Sequence, residues 1–200
     1  MFFRKQSKFN EDDLPSIVAA CQEQDAHAQR ALFKLFFSYA KSICLRYSSN
    51  QEEAEEVLND GFLKVFKNIQ KYDLNQPFKA WLRTILVNTC IDYYRRREKY
   101  TYELDVERVE NSPFDENVLD KIAADEILAM VQKLPNSYRT VFMMHVIDGY
   151  NHREIADLLH INEGTSRSNF LKARAKLQDM IKLNYPHLYA ISLTKKINEN

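Results

Sequence analysis

The 200-residue chain carries 28 basic and 28 acidic side chains, and this length suits one large domain or two small ones. Zero net charge leaves room for a nucleic-acid partner, since local sign asymmetry can supply the field. Cys21, Cys44 and Cys90 form no CxxC pair, the opening MFFRKQSKF has no apolar signal region, and no stretch is long enough to span a membrane. The expectation is a reduced, soluble, cytoplasmic protein with no membrane segment of its own.

Glycine occurs three times, and no run alternates with a period of two, so the predicted elements are helices. Residues 1–24 form an N-terminal segment with no predicted element. From Asp25 to Tyr47 the apolar positions Ala28, Ala31, Leu32, Leu35, Phe36, Tyr39 and Ile43 advance by three- and four-residue steps, which predicts a helix. A second helix is expected over Gln51–Ile69, with Ala54, Val57, Leu58, Phe62, Val65, Phe66 and Ile69 inward. Its other side carries Glu52, Glu53, Glu55, Glu56 and Asp60, a run that charge alone would assign to solvent.

Pro77 starts a third helix, Phe78 to about Arg97. Trp81, Ile85, Asn88, Asp92 and Arg95 lie on one stripe of it, with Trp81 expected in the core. Asp92 is spaced to pair with Arg95 or Arg96. At its end Tyr93, Tyr94 and Arg95 to Arg97 interleave aromatics with cations, a composition suited to stacking bases and holding phosphates of separated strands. From Glu98 to Asp120 eight acidic residues face two basic ones, with Pro113 inside; this reads as a flexible acidic linker.

A second helical block begins near Lys121. Helices are expected up to Leu134, before Pro135, and over Ser137–Ile147, followed by a turn at Asp148-Gly149. "HREIADLLHINEGTSRSNFLKARAKL", residues 152–177, then supplies two helices around a short break, completing a compact unit of four short helices. Two helices joined by so short a turn form a helix-turn-helix. Thr165 or Glu163 is expected to cap the second helix. Gly164 to Lys182 holds five cations against Asp179. In a major groove, Arg167 near the helix start would meet base edges, with Lys172 and Arg174 farther along at phosphates. His160 occupies the turn position that favours glycine, and Ser166 stands where a buried Val or Ile is usual.

These segments resemble the extracytoplasmic-function (ECF) sigma factors of the sigma-70 family of bacterial RNA polymerase. Glu154, Ile155, Ala156, Leu159, Ile161, Gly164, Thr165, Ser168, Ala173 and Arg174 match the pattern of region 4.2. Leu134, Pro135, Arg139, Val141, Phe142 and Gly149 match the stretch before it. "EEAEEVLNDGFLKVFKNI" resembles region 2.2, with Asn59 in place of the usual Gln and the acid kept at Asp60. "FKAWLRTILVNTCIDYYRRR" resembles regions 2.3 and 2.4 through Phe78, Trp81, Leu82, Ile85, Asn88, Asp92 and Arg95.

The resemblance implies an all-α protein of two small domains, residues 25–97 (region 2) and 121–183 (region 4), joined by the acidic linker 98–120 and followed by a tail, 184–200. It also implies an alternative sigma factor. Glu55, Glu56, Asn59 and Asp60 would bind the clamp of core RNA polymerase. Asn88, Tyr93, Arg95, Arg96 and Arg97 would meet the melted −10 strand, and Thr165, Arg167, Ser168, Lys172 and Arg174 the −35 duplex. An anti-sigma factor is a further partner the family allows. No P-loop, GxSxG, HExxH or metal-ligand cluster is present, and His145 and His152 lie seven residues apart without a flanking carboxylate partner, so neither catalysis, cofactor nor metal is expected. The competing reading is a stand-alone helix-turn-helix regulator, which leaves the aromatic-basic end at Tyr93 to Arg97 unexplained.

Overall fold

A computed structural model describes residues 9–98 and 122–186. Residues 99–120 of the expected linker and 187–200 of the tail lie outside them. Among the described residues every regular element is helical: α1 (Leu14–Gln22), α2 (Ala26–Tyr47), α3 (Gln51–Asn68), a 3-10 turn (Ile69–Lys71), α4 (Phe78–Glu98), α5 (Ala124–Gln132), α6 (Asn136–Val146), α7 (His152–Leu159) and α8 (Glu163–Asn184). The chain divides into two compact units, the first built on α1 to α3 and most of α4, the second on α5 to α8.

The first helix is an addition, because no element is expected before residue 25. Nine residues are too few to hold a helix in isolation. Here Asp13 caps it by accepting the Ser16 amide at 3.0 Å, and Ile17, Val18 and Cys21 are buried. Gln22 donates its amide to the Ile69 carbonyl at 3.0 Å, tying α1 to the 3-10 turn.

In α2 the buried row is Ala28, Leu32, Phe36, Ala40, Ile43 and Cys44. Leu35, expected inside, is 57% exposed; the row's continuation through Ala40 and Cys44 rotates the buried face away from it. The expected inner face of α3 is buried except Phe66, which is half-buried. Phe33 of α2 stacks obliquely on Phe62 of α3, centroids 4.6 Å apart, and Phe36 meets Phe78 of α4 at 4.9 Å. The core row of α4 is Phe78, Leu82, Leu86, Cys90 and Ile91. The motif stripe lies beside it: Trp81 is half-buried against Tyr72 and Phe78, and Asn88 is exposed. All three cysteines are buried thiols.

Gly61 decides how closely α3 approaches α4. A Cβ there would meet Leu86 Cδ2 at 2.6 Å, well inside van der Waals contact, and Leu86 is fully buried.

In the second unit α5, α6 and α7 all pack on α8. That helix runs 22 residues rather than being short, and buries Ser166, Ala173, Leu177 and Ile181. Arg139, matched above to the family pattern, is buried. Its guanidinium donates to the carbonyls of Gln132 and Leu134 at 2.9 and 3.0 Å and to Asn136 Oδ1 at 3.0 Å. These donors satisfy carbonyls left open at the end of α5, so Arg139 joins α5 to α6.

The turn between α7 and α8 is set at both ends. Asn151 and Glu154 form a reciprocal capping box at the start of α7. His160 ends α7 in the left-handed region, φ 57° and ψ 42°, and Ile161 donates to the Ala156 carbonyl at 3.1 Å. Asn162, rather than Thr165 or Glu163, caps α8. The helix starts one residue earlier than Gly164, which puts Thr165 inside the first turn as a donor: its amide and hydroxyl reach Asn162 Oδ1 at 2.7 and 2.9 Å.

Gly61→Val is expected to destabilise the protein by about 1–3 kcal/mol through overpacking, read from the urea midpoint. The double variant with Leu86→Ala is expected to cost less than the sum of the two singles. His160→Gly is expected to stabilise by roughly 0.5–1 kcal/mol. The left-handed penalty of about 1–2 kcal/mol disappears, and the unfolded-chain entropy of glycine offsets part of the gain.

Candidate nucleic-acid interface

The acidic face of α3 is presented by the burial of the opposite side. Asn50 caps the helix, accepting the Glu53 amide at 2.8 Å, and Glu52 and Glu53 sit in the first turn, where the helix dipole favours negative charge. Glu55, Glu56 and Asn59 are exposed, whereas Asp60 is half-buried. Gln51 donates to Glu55 at 2.8 Å and Lys41 lies 3.5 Å from it. The Gln51 hydrogen bond, then Lys41, holds the Glu55 carboxyl below the usual carboxylate range despite slight desolvation. Glu55 is therefore ionised at neutral pH and held in place between Gln51 and Lys41.

At the end of α4 the side chains divide by exposure. Asn88, Arg96 and Arg97 are exposed; Tyr93 and Arg95 are half-buried. Three arginines in the last turn oppose the negative end of the helix dipole. Two polar links fasten this segment to α3: Lys64 meets Asp92 at 2.8 Å, and the Tyr93 hydroxyl donates to Glu56 at 3.1 Å. Asp92 thus has a partner on α3, beyond the residues of its own helix. Sequence reasoning did not anticipate either link, since the helical phases of α3 and α4 say nothing of their mutual register.

On α8 the outward stripe is Gly164, Arg167, Ser168, Leu171 and Arg174. Arg167 forms an i, i+4 pair with Glu163, which holds its guanidinium over the first turn. Arg174 lies 5.9 Å from the ring of Phe170. Lys172 is half-buried with Nζ 5.5 Å from the Tyr138 ring, and Thr165 is half-buried beside the cap. So the structure brings Arg167, Ser168 and Arg174 onto one outer face and sets Thr165 and Lys172 at its flanks.

Ser166 points the other way and is fully buried. Its hydroxyl lies 3.0 Å from His152 Nδ1, so the polar group that replaces an aliphatic side chain has a partner. Among the described residues no group of three His, Cys, Asp or Glu is placed to hold a metal ion. None of the described helices is long and apolar enough to cross a membrane.

Two family models match this chain in order: Sigma-70 region 2 over residues 32–100 and Sigma-70 region 4 over residues 124–177. The ECF RNA polymerase sigma factor SigW of Bacillus subtilis is 27% identical over 173 residues, 80% of this chain and 91% of its own. The ECF RNA polymerase sigma factor SigE of Mycolicibacterium smegmatis is 30% identical over 146 residues, 70% of this chain and 56% of its own. Among solved structures, the sigma factor RpoE in complex with the anti-sigma factor NepR from Bartonella quintana aligns at 21% identity, covering 76% of this chain and 96% of that one, with a TM-score of 0.46. The two matched regions, in this order and across helices with these exposed faces, make the chain an ECF sigma factor of the sigma-70 family, an alternative sigma factor for transcription initiation.

Proposed function

We propose that the three exposed faces divide initiation among them. The acidic face of α3, with Glu55, Glu56, Asn59 and Asp60, docks on core RNA polymerase. The end of α4, with Asn88, Tyr93 and Arg95 to Arg97, takes the melted −10 strand. The outer face of α8, led by Arg167, Ser168 and Arg174 and flanked by Thr165 and Lys172, reads the −35 duplex. Residues 25–97 and 121–183 would be the two working domains, and 98–120 the acidic tether between them. The protein works beside the polymerase in the cytoplasm, contributes no covalent chemistry of its own, and presents the same faces to an anti-sigma factor.

The observation that carries this reading is the two-sided character of α8. One face is buried on α5 to α7, and the other carries Arg167, Ser168 and Arg174 within the first twelve residues of a capped helix. Side chains so placed can enter a major groove while later cations meet phosphates. A stand-alone regulator would use α8 in the same way, but it would bind its site without polymerase and would have no use for the α3 face.

Reversing Glu55 and Glu56 to lysine together is expected to weaken binding to core polymerase in a fluorescence titration while leaving the circular dichroism unchanged. Unaltered affinity removes the α3 face as the docking surface. On a promoter library randomised at −35 and assayed with holoenzyme, Arg167→Ala is expected to relax preference at one position by about 1–3 kcal/mol. Arg174→Ala is expected to weaken all sequences alike and flatten the salt dependence. If Arg167 serves only to close its pair with Glu163, wild type and Arg167→Ala will select identical sequences.

A further inference from the structure

Behind the recognition face of α8 lies a cluster that the functions above leave unused. His145 of α6 and His152 of α7 stack nearly parallel, centroids 4.5 Å apart and planes 16° from each other. Phe170 of α8 meets both rings edge-on, at 4.8 Å from His145 and 5.6 Å from His152. Each imidazole also has a polar tether. His145 Nδ1 lies 2.8 Å from the Tyr150 carbonyl; a carbonyl only accepts, so this nitrogen carries the proton. His152 Nδ1 lies 3.0 Å from the hydroxyl of buried Ser166. Two titratable rings thereby join three helices at the first turns of α8, one stacked directly on the other.

The surroundings of His152 oppose a positive charge on its ring. Burial first, then His145 and Arg167, hold His152 below the usual histidine value, against the pull of Glu163. The titratable and charged groups that act on it are His145 on α6 and Glu163 and Arg167 on α8, while Arg153, Glu154 and Asp157 lie along its own helix. Arg174 stands over the Phe170 ring, and Asp148 lies in the turn that carries Tyr150. Because the folded form resists the proton, the unfolded or opened form binds more protons below the ordinary histidine value. The stabilisation is therefore complete above pH of about 6.5 and is lost as pH falls below it.

We propose that His145 and His152, stacked against Phe170 and tethered to Tyr150 and Ser166, form a proton-sensitive brace that holds the recognition helix, so that acidification loosens the start of α8 and weakens promoter binding. The consequence for promoters rests on the −35 reading of α8; the brace itself does not.

The test pairs two measurements on the full chain. Hydrogen-exchange protection of the amides from Ser166 to Phe170 is compared at pH 7.5 and 5.5 in wild type, His152→Asn and His145→Asn. Asparagine keeps a polar atom near the Nδ1 position but does not titrate. Wild-type protection, corrected for intrinsic exchange, is expected to fall several-fold at pH 5.5. The ceiling is about tenfold, set by one proton excluded from the closed form one unit below 6.5. Either asparagine variant is expected to reduce that pH dependence. Holoenzyme affinity for a promoter duplex is followed over the same range and is expected to decline with the wild-type protection and to decline less in the variants. Wild-type protection that does not change with pH, or an equal fall in wild type and both variants, overturns the brace. Promoter affinity that stays level while protection falls overturns its regulatory consequence. A pH-dependent protection with no promoter affinity at any pH would support the brace and defeat the −35 reading instead.

Discussion

Every surface proposed to meet a partner belongs to a helix that is held by one stripe and exposes the other. α3, α4 and α8 each bury a row of side chains at three- and four-residue steps, and each leaves a polar or charged row outside. Apolar burial contributes roughly 25 cal/mol for each Å² removed from water, far more per residue than an exposed ion pair. The inner row therefore decides where the helix lies, and the outer row is left to serve a partner. Lys41 with Glu55 and Arg167 with Glu163 orient side chains on those outer rows without governing the fold.

Helix ends provide the second layer of control. Asn50, Asn151 and Asn162 each accept an amide of the turn they precede, and Arg139 fills the carbonyl end of α5. These bonds stop the helices at defined residues. In the helix-turn-helix that precision has a functional side: His160 and Asn162 together fix where α7 ends and α8 begins, and hence which residues of α8 occupy its first turns.

Polar contacts between helices form the third layer, and they lie next to the working faces. Lys64 with Asp92 and Glu56 with Tyr93 fasten the end of α4 to the acidic helix, so the segment assigned to DNA and the segment assigned to polymerase share a hydrogen bond. The His152–Ser166 contact does the same between α7 and α8. A buried hydroxyl without that partner would carry a desolvation penalty of about 1–3 kcal/mol, so Ser166 and His152 make sense only as a pair.

The sequence by itself determined the helical class, the principal helices within a few residues, the helix-turn-helix and the family. All of these are local or periodic properties, legible along one strand of text: the rows of α3, the break at Pro77, the short turn before α8. What it left open had tertiary causes. Leu35 follows the helical step yet faces solvent, because Ala40 and Cys44 draw the contact elsewhere. Nine residues of α1 form a helix only against the 3-10 turn. Nothing in the sequence around Gly61 tells that Leu86 lies across it. Asp92 found Lys64 on another helix, and two histidines seven residues apart became stacked rings because the turn at Gly149 brings α7 back beside α6. Periodicity tells which side of a helix is apolar; only packing decides which neighbour that side meets, and at what register.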